Sequence, residues 1–204
     1  MLDRLSVADY GETLDVFYVD GRDDMANLTG TPVTGYSYFN DNALIVVFNE
    51  EWRAFERHEL THTVTLGTWP EAHGAAAVEG LATFVDGDCG GFENGRVLRS
   101  ILALDGLIPL GLLEADFRGQ DDLIAYLQAG SIFEFTVQGT GASAIRHLWD
   151  RGLQASAALL EIPSERFQTE FEGWVFSTYD PIPTESLNAI RTGGCGIDSR
   201  PGVR

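Results

Sequence analysis

The amino-acid sequence predicts an α+β protein, with a small β-sheet in its N-terminal part and a mainly helical C-terminal half. Up to residue 49 the apolar residues form short runs bounded by glycine and asparagine, as in strands. From Glu50 to about residue 178 they recur at helical spacing. With 204 residues, 44% of them hydrophobic, the chain has the size and apolar content for one domain. We place that domain at 1–180, with the sheet part at 1–49, the helical part at 50–180 and a tail at 181–204.

Three segments of the N-terminal part predict strands. They are LDVFYVD (Leu14 to Asp20), VTGYSYF (Val33 to Phe39) and ALIVVF (Ala43 to Phe48). The turn Asn40-Asp41-Asn42 separates the last two segments, so these should form a hairpin. ALIVVF is nearly all apolar, which indicates a strand covered on both faces.

The helical part begins with NEEWRAFERHELTHTVTLG, in which Asn49 is the expected N-cap and Gly67 the expected stop. After a loop, a second helix is expected over the first dozen residues of AAAVEGLATFVDGDCGG. Later helices are predicted in four segments, GRVLRSILALDG, DDLIAYLQAGSIFEFTVQG, GASAIRHLWDRG and SERFQTEFEGWVFST. The tail from Pro181 has an irregular pattern.

The chain is strongly acidic. Its net charge of -18 comes from 31 acidic residues against 13 basic ones, all of them arginine. Such a surface disfavours nucleic acid and anionic lipid as partners, while it suits a divalent cation, a basic peptide or simple solubility. No apolar run reaches roughly 18 residues, so no membrane span is expected. The N-terminus MLDRLSVADYG lacks the basic-then-apolar profile of a secretory signal.

The two cysteines, Cys89 and Cys195, lie far apart in glycine-rich surroundings and form no CxxC pattern. A thiolate metal site is therefore not indicated. Two free thiols and one disulfide are both compatible with the sequence. A disulfide would connect the tail to the segment after EGLATF and would favour an oxidising compartment, which makes an extracellular or cell-envelope location the leading expectation.

The motif HELTH places two histidines four residues apart on the first helix. At this spacing His58 and His62 lie on one helix face, about one turn apart, where both imidazoles can bind a single zinc ion. Glu59 lies to the side of the pair, where its carboxylate can reach a water at the metal rather than the metal itself. Zinc is thus the expected cofactor and Glu59 the expected general base.

A catalytic zinc site needs a third protein ligand, because the fourth position holds water. Glu79 is the leading candidate, since it lies on the second helix beside Gly80, which would allow that helix to pack closely on the first. Glu71 and His73, in the loop between the helices, remain possible on the sequence alone.

HELTH followed by EGLA resembles the gluzincin clan of zinc metallopeptidases, and in particular the bacterial peptidase MA-like domains. IAYLQAGSIFEF (Ile124 to Phe135), GTGASAIRHLWDRG and SERFQTEFEGWVFS are also similar to segments of those domains. The resemblance covers most of residues 14 to 178, although only HELTH and EGLA are specific. It implies a zincin-like fold, with a hairpin, an HExxH helix, an EGLA helix and a helical C-terminal half.

The same resemblance implies His58, His62 and Glu79 as zinc ligands, Glu59 as base and Tyr126 as the residue that stabilises the oxyanion. His147 is an alternative for the last role. The implied function is hydrolysis of peptide bonds in a peptide or protein that lies antiparallel to a strand of the hairpin. The alternative is a zinc-containing peptide-binding or adaptor domain without turnover. Endo- or exo-action and the oligomeric state are left open.

Overall fold

The computed structural model describes residues 5, 10–50, 52, 55–197 and 199–200, and this part of the chain is α+β with a small sheet. The coarse fold class is therefore confirmed. The sheet has the order β1-β3-β2, with β1 at Asp15–Val19, β2 at Gly35–Tyr38 and β3 at Ala43–Val47. β1 is parallel to β3, whereas β2 is antiparallel to it. The predicted hairpin is thus confirmed, and a 3₁₀ turn at Phe39–Asp41 connects its strands.

Burial explains the position of β3. Its residues Leu44, Ile45, Val46 and Val47 are all buried, as expected for a central strand covered on both faces. A short helix, α1 (Arg22–Thr29), follows β1 and covers one face with Met25, which packs against Ile45 and Val47. The sequence analysis predicted only strands in this region and missed α1, because RDDMANLT has only two large apolar side chains, Met25 and Leu28, which is too few to show a helical period.

Helix α2 spans Glu56–Thr68 and carries HELTH. The prediction that it begins after Asn49 is wrong. The Asn49 side chain instead accepts a hydrogen bond from the Trp52 backbone N–H at 2.9 Å, and Trp52 forms a β-bridge with Ile197. This tertiary contact keeps the start of the segment out of the helix. Residues 51, 53 and 54 of the predicted helix lie outside the described residues.

Helix α3 spans Ala75–Asp86, as predicted, and is followed by a short hairpin of β4 (Asp88–Cys89) and β5 (Phe92–Glu93). The later helices are α4 (Asn94–Asp105), α5 (Leu110–Ala115), α6 (Asp122–Thr140), α7 (Ser143–Arg151), α8 (Ala155–Leu159), α9 (Ser164–Thr178) and α10 (Thr184–Gly193), with a 3₁₀ turn at Phe117–Gly119. Among the described residues, none of these helices has the length and apolar content needed to cross a membrane.

The tail does not match its prediction, because α10 occupies the part that was expected to be irregular. Pro183 lies at its N-cap, a place where proline does not disturb a helix. Leu187 and Ile190 are buried on its inner face. The two prolines before α10 and the glycines after it obscured a helix with one apolar face.

Gly80 contacts a different helix from the one predicted. A Cβ on Gly80 would lie 2.9 Å from the Ala129 Cβ on α6, so this glycine allows α3 to approach α6 rather than α2. On the other side of the same crossing, a Cβ on Gly130 would lie 2.8 Å from Thr83. The resulting α3/α6 contact lies at the centre of the helical half and fixes the helix that bears Glu79.

Cys89 and Cys195 form a disulfide, which decides between the two states that the sequence left open. The bond connects β4, which directly follows α3, to the segment after α10. Gly196, the next residue, packs against the rings of Trp52 and Phe55, just before α2. The C-terminal segment therefore touches the chain at the beginning of one motif-bearing helix and at the end of the other.

Candidate metal centre

The structure brings His58, His62 and Glu79 together. The Glu79 Oε2 atom lies 3.3 Å from the His58 Nε2 and 3.2 Å from the His62 Nε2. The ligand atoms of these three residues all lie within 4.8 Å of one another. In the described part of the chain, no other group of three or more histidine, cysteine, aspartate or glutamate residues meets this condition. All three side chains are largely buried, with exposures of 14%, 11% and 10%.

The spacing fits a tetrahedral zinc site. Ligand atoms at 2.0–2.1 Å from a shared zinc ion are about 3.3–3.4 Å apart when the angle is tetrahedral. Both histidine-to-glutamate separations are close to that value, and two imidazoles with one carboxylate are a donor set that zinc accepts. One usual feature is missing: the His62 Nδ1 is buried with no hydrogen-bond partner among the described residues, whereas ligating histidines normally donate from this second nitrogen.

The two alternative third ligands lie elsewhere. Glu71 and His73 are both exposed. The His73 backbone N–H donates to the Trp149 carbonyl at 2.8 Å, and its imidazole lies beside Gly152 at the end of α7. The loop after α2 therefore packs on α7, and the geometry favours Glu79 over both loop residues.

Glu59 is buried next to this group but faces the sheet. The Ser37 hydroxyl on β2 lies 2.6 Å from its carboxylate Oε2 and 2.8 Å from its backbone carbonyl, and can donate to either. Gly35, two residues earlier on β2, leaves the space that the carboxylate fills, since a Cβ there would overlap it. The sequence analysis did not single out Ser37 or Gly35, because only the register of β2 against α2 reveals them.

Tyr126 lies on α6 at the same cleft, with its ring stacked at 6.1 Å on the His58 ring. Burial raises the pKa of its phenol to about 12, and the Glu79 charge adds to this effect, while Arg118 opposes it. The phenol is thus a protonated hydrogen-bond donor at neutral pH. His147, the alternative for this role, is exposed on α7 and outside the set of residues that line the cleft.

The sequence analysis missed Arg118. Its guanidinium donates to the Glu79 Oε1 at 2.9 Å, and its charge also opposes the rise that burial causes in the pKa of the Tyr126 phenol. The residue belongs to the 3₁₀ turn at Phe117–Gly119, far from both motifs in the chain. An arginine in LEADFRGQDD has no local signal of a site, so only the fold could identify it.

The electrostatics of the group favour an ionised carboxylate. Burial by itself would raise the pKa of Glu79, but hydrogen bonds from His58 and His62 lower it well below its ordinary value. Burial would likewise lower the pKa of His58, and the carboxylates of Glu79, Glu59 and Asp86 more than offset this, so the pKa is raised. The hydrogen bonds between the imidazoles and the carboxylate therefore stabilise the ionised form of Glu79.

The cleft that holds these residues is open and is bordered by β2. Its lining includes His58, Glu59, His62, Glu79, Arg118 and Tyr126. Because β3 is central in the sheet, β2 is the strand of the hairpin that lies at an edge, and this edge is on the side of Glu59. The hairpin strand next to the site is thus VTGYSYF rather than ALIVVF.

The chain matches no protein-family model, no curated protein and no solved structure. Its gluzincin resemblance and zincin-like fold remain predictions from the motifs, and the geometry of the site is the independent observation that bears on function.

Proposed function

We propose that the chain is a zinc-dependent metallopeptidase of the gluzincin type, with a zincin-like fold. The observation that carries the proposal is the convergence of two histidine Nε2 atoms and one Glu79 oxygen, at the separations of a tetrahedral zinc site. A second carboxylate, that of Glu59, lies beside this group and outside the ligand set. Three ligands plus a separate base is the arrangement that zinc-assisted hydrolysis of an amide uses.

His58, His62 and Glu79 would hold the ion. Zinc bound there would supply a Lewis acid that polarises the scissile carbonyl and acidifies water. Glu59 takes the proton from the attacking water and later gives it to the leaving amine. Ser37 keeps the Glu59 carboxylate in one orientation, since a hydroxyl hydrogen bond to Oε2 restrains its rotation.

Tyr126 would stabilise the negative oxygen of the tetrahedral intermediate. This role needs a donor aimed at the reacting carbon, and the phenol lies in the cleft next to His58 with its proton retained. The peptide would lie antiparallel along the outer edge of β2, where backbone groups can pair with an extended chain. The substrate class is therefore a peptide or an extended segment of a protein.

The location proposed for this activity is extracellular or within the cell envelope. The disulfide between Cys89 and Cys195 supports an oxidising compartment, because reducing compartments keep most thiols free.

A digest of a peptide library tests the proposal. The purified protein is expected to contain one equivalent of zinc by elemental analysis and to cleave peptides in a manner that a chelator abolishes and zinc restores. Bound zinc without cleavage would instead indicate a peptide-binding or adaptor domain. A protein without bound metal that also fails to take up added zinc would contradict both functions.

The variant Glu59→Gln isolates the base. It should retain zinc and lose about 100-fold or more of kcat, in line with general-base catalysis. Glu165→Gln, an exposed glutamate in the first turn of α9, is the matched control and should hydrolyse at the wild-type rate. Full hydrolytic activity in Glu59→Gln would show that the mechanism is wrong.

A further inference from the structure

We propose that Arg118 is a positioning residue of this site, which fixes the Glu79 carboxylate so that only one of its oxygens faces the two histidines. The inference rests on the proposed function, because it assigns a role within the same centre. Arg118 donates a hydrogen bond to Glu79 and belongs to neither sequence motif.

The two oxygens of Glu79 have different partners. Oε2 is directed at the two histidine nitrogens, whereas Oε1 accepts the 2.9 Å hydrogen bond from the Arg118 guanidinium. A charge-assisted bond of this kind fixes the rotation of the carboxylate. Arg118 therefore leaves a single oxygen for an ion between the histidines, which keeps the coordination number low and a position open for water and substrate.

Arg118 is anchored although its side chain is exposed. The guanidinium-bearing side chain is 70% exposed, whereas its neighbour Phe117 is buried and contacts the Tyr126 ring at 5.1 Å. An exposed ion pair usually contributes little to stability because both partners remain mobile and solvated. Here Glu79, the acidic partner, is only 10% exposed. The buried Phe117 side chain also holds the backbone next to Arg118 in place. The ion pair therefore restrains the Glu79 carboxylate with little effect on the free energy of folding.

The first test measures zinc binding without any substrate. Zinc affinity is determined by competition with a chromophoric chelator for the wild type, Arg118→Ala, Arg118→Lys and Arg166→Ala. Arg118→Ala should bind zinc about 10- to 100-fold more weakly, as is usual when the residue that orients a ligand is removed. Arg118→Lys should recover part of this loss, because an ammonium group can still contact one carboxylate oxygen.

Arg166→Ala is the matched control. Arg166 is also exposed, at 66%, and also pairs with a glutamate, Glu170, but this pair lies on α9 away from the cleft. It should bind zinc as the wild type does. Equal zinc affinity in Arg118→Ala and Arg166→Ala would overturn the assignment to Glu79.

The second test uses kinetics at saturating zinc. Arg118→Ala should lower kcat about tenfold or more with little change in KM, because a Glu79 carboxylate that is free to rotate can approach the ion with both oxygens and so compete for the position of the attacking water. An unchanged kcat at saturating zinc would overturn the part of the inference that concerns the open position.

The two proposals can fail separately. Wild-type protein that binds zinc and cleaves no peptide would contradict the proposed function, while the zinc competition would still decide the role of Arg118 toward Glu79. A wild type that cleaves peptides and an Arg118→Ala variant equal to it in zinc affinity and kcat would contradict only the present inference.

Discussion

Glu59 and Glu79 are both buried glutamates at one cleft, but the groups around each carboxylate differ and suit different chemical roles. Glu79 faces two imidazoles and a guanidinium, so its carboxylate is stabilised as an anion that can bind a cation. Glu59 faces the Ser37 hydroxyl and packs against Gly35, with no cation hydrogen-bonded to its carboxylate among the described residues. In the proposed mechanism this carboxylate is the general base.

Gly35 should be essential for the position of Glu59. In Gly35→Ala the added methyl group would overlap the Glu59 carboxylate, which must then leave its place beside Ser37. We expect kcat to fall by about 10- to 100-fold with zinc content unchanged, since a displacement of about 1 Å can have this effect on catalysis. Steady-state kinetics and elemental analysis of the purified variant measure the two quantities.

The control for that variant is Gly111→Ala. Gly111 lies at an exposed position of α5, where a methyl group would meet no atom within 4 Å. It should be as active as the wild type and slightly more stable, because alanine favours a helix. If Gly35→Ala hydrolysed peptides as fast as this control, the position of Glu59 would not depend on the glycine.

The raised pKa of Tyr179 leads us to expect a loss of stability at alkaline pH. Burial, the hydrogen bond that its phenol donates to Glu134 at 2.6 Å, and the charges of Glu134 and Glu93 all raise its pKa. Above pH 10 the phenol ionises in the unfolded chain but stays protonated in the folded protein, so the free energy of unfolding falls as pH rises. Urea unfolding at pH 8 and pH 11 should show a smaller decrease for Tyr179→Phe than for the wild type. An identical decrease in both proteins would rule out this residue as a source of the effect.

At the level of elements, the crossing of α3 and α6 determines where Glu79 lies. Small residues at the contact, Gly80 and Ala129 on one side and Thr83 and Gly130 on the other, let the two backbones approach closely. Helix α6 therefore packs on one face of α3, the helix that carries Glu79, and α2 packs on another face of α3. This explains how a short loop after α2 is sufficient to place Glu79 beside the two histidines.

Gly80→Ala should therefore destabilise the protein, although alanine is the better helix former. The new Cβ would lie 2.9 Å from the Ala129 Cβ and 3.1 Å from its backbone carbon, so α3 must shift. We expect the free energy of unfolding to fall by about 1–3 kcal/mol, as in other overpacked cores, and zinc affinity to fall with it. Urea unfolding measures the first quantity and chelator competition the second.

Gly173→Ala provides the comparison, because Gly173 lies in α9 with no atom within 4 Å of the added methyl group. That change should raise the free energy of unfolding by about 0.5–1 kcal/mol. If Gly80→Ala instead raised the free energy of unfolding by the same amount, the packing of α3 on α6 would tolerate a wider separation of the two helices.

The sequence predicted the elements whose signals are local and missed those that depend on distant contacts. The alternating and apolar runs of β1 to β3 and the periodicity of α3 and α6 are visible in short windows. The beginning of α2 was wrong because Trp52 pairs with Ile197, nearly 150 residues later. In the site, HELTH and EGLA identified the residues that converge, whereas Ser37, Gly35 and Arg118 meet them only through folding.

At the scale of the whole molecule, the C-terminal segment connects the two helices that bear the site. Cys195 is bonded to Cys89 in β4, just after α3, and the Gly90 N–H donates to the Cys195 carbonyl at 2.9 Å. The same segment reaches the beginning of α2 through Gly196 and Ile197. The N-terminal half thus contains the motifs, and the last described residues restrain the helices that present them.

Removal of the disulfide tests this restraint. The bond closes a loop with a sequence separation of 106 residues, so its loss should lower the free energy of unfolding by about 2–5 kcal/mol. The variant Cys89→Ala/Cys195→Ala and the reduced wild type should both show this decrease in urea unfolding. Reductant should have no further effect on the variant, which controls for other actions of the reagent.

Because the segment also contacts Trp52 and Phe55 before α2, zinc affinity should fall in the same two samples. Unchanged unfolding after complete reduction would mean that the packing of α10 and its tail holds the helices without the covalent bond.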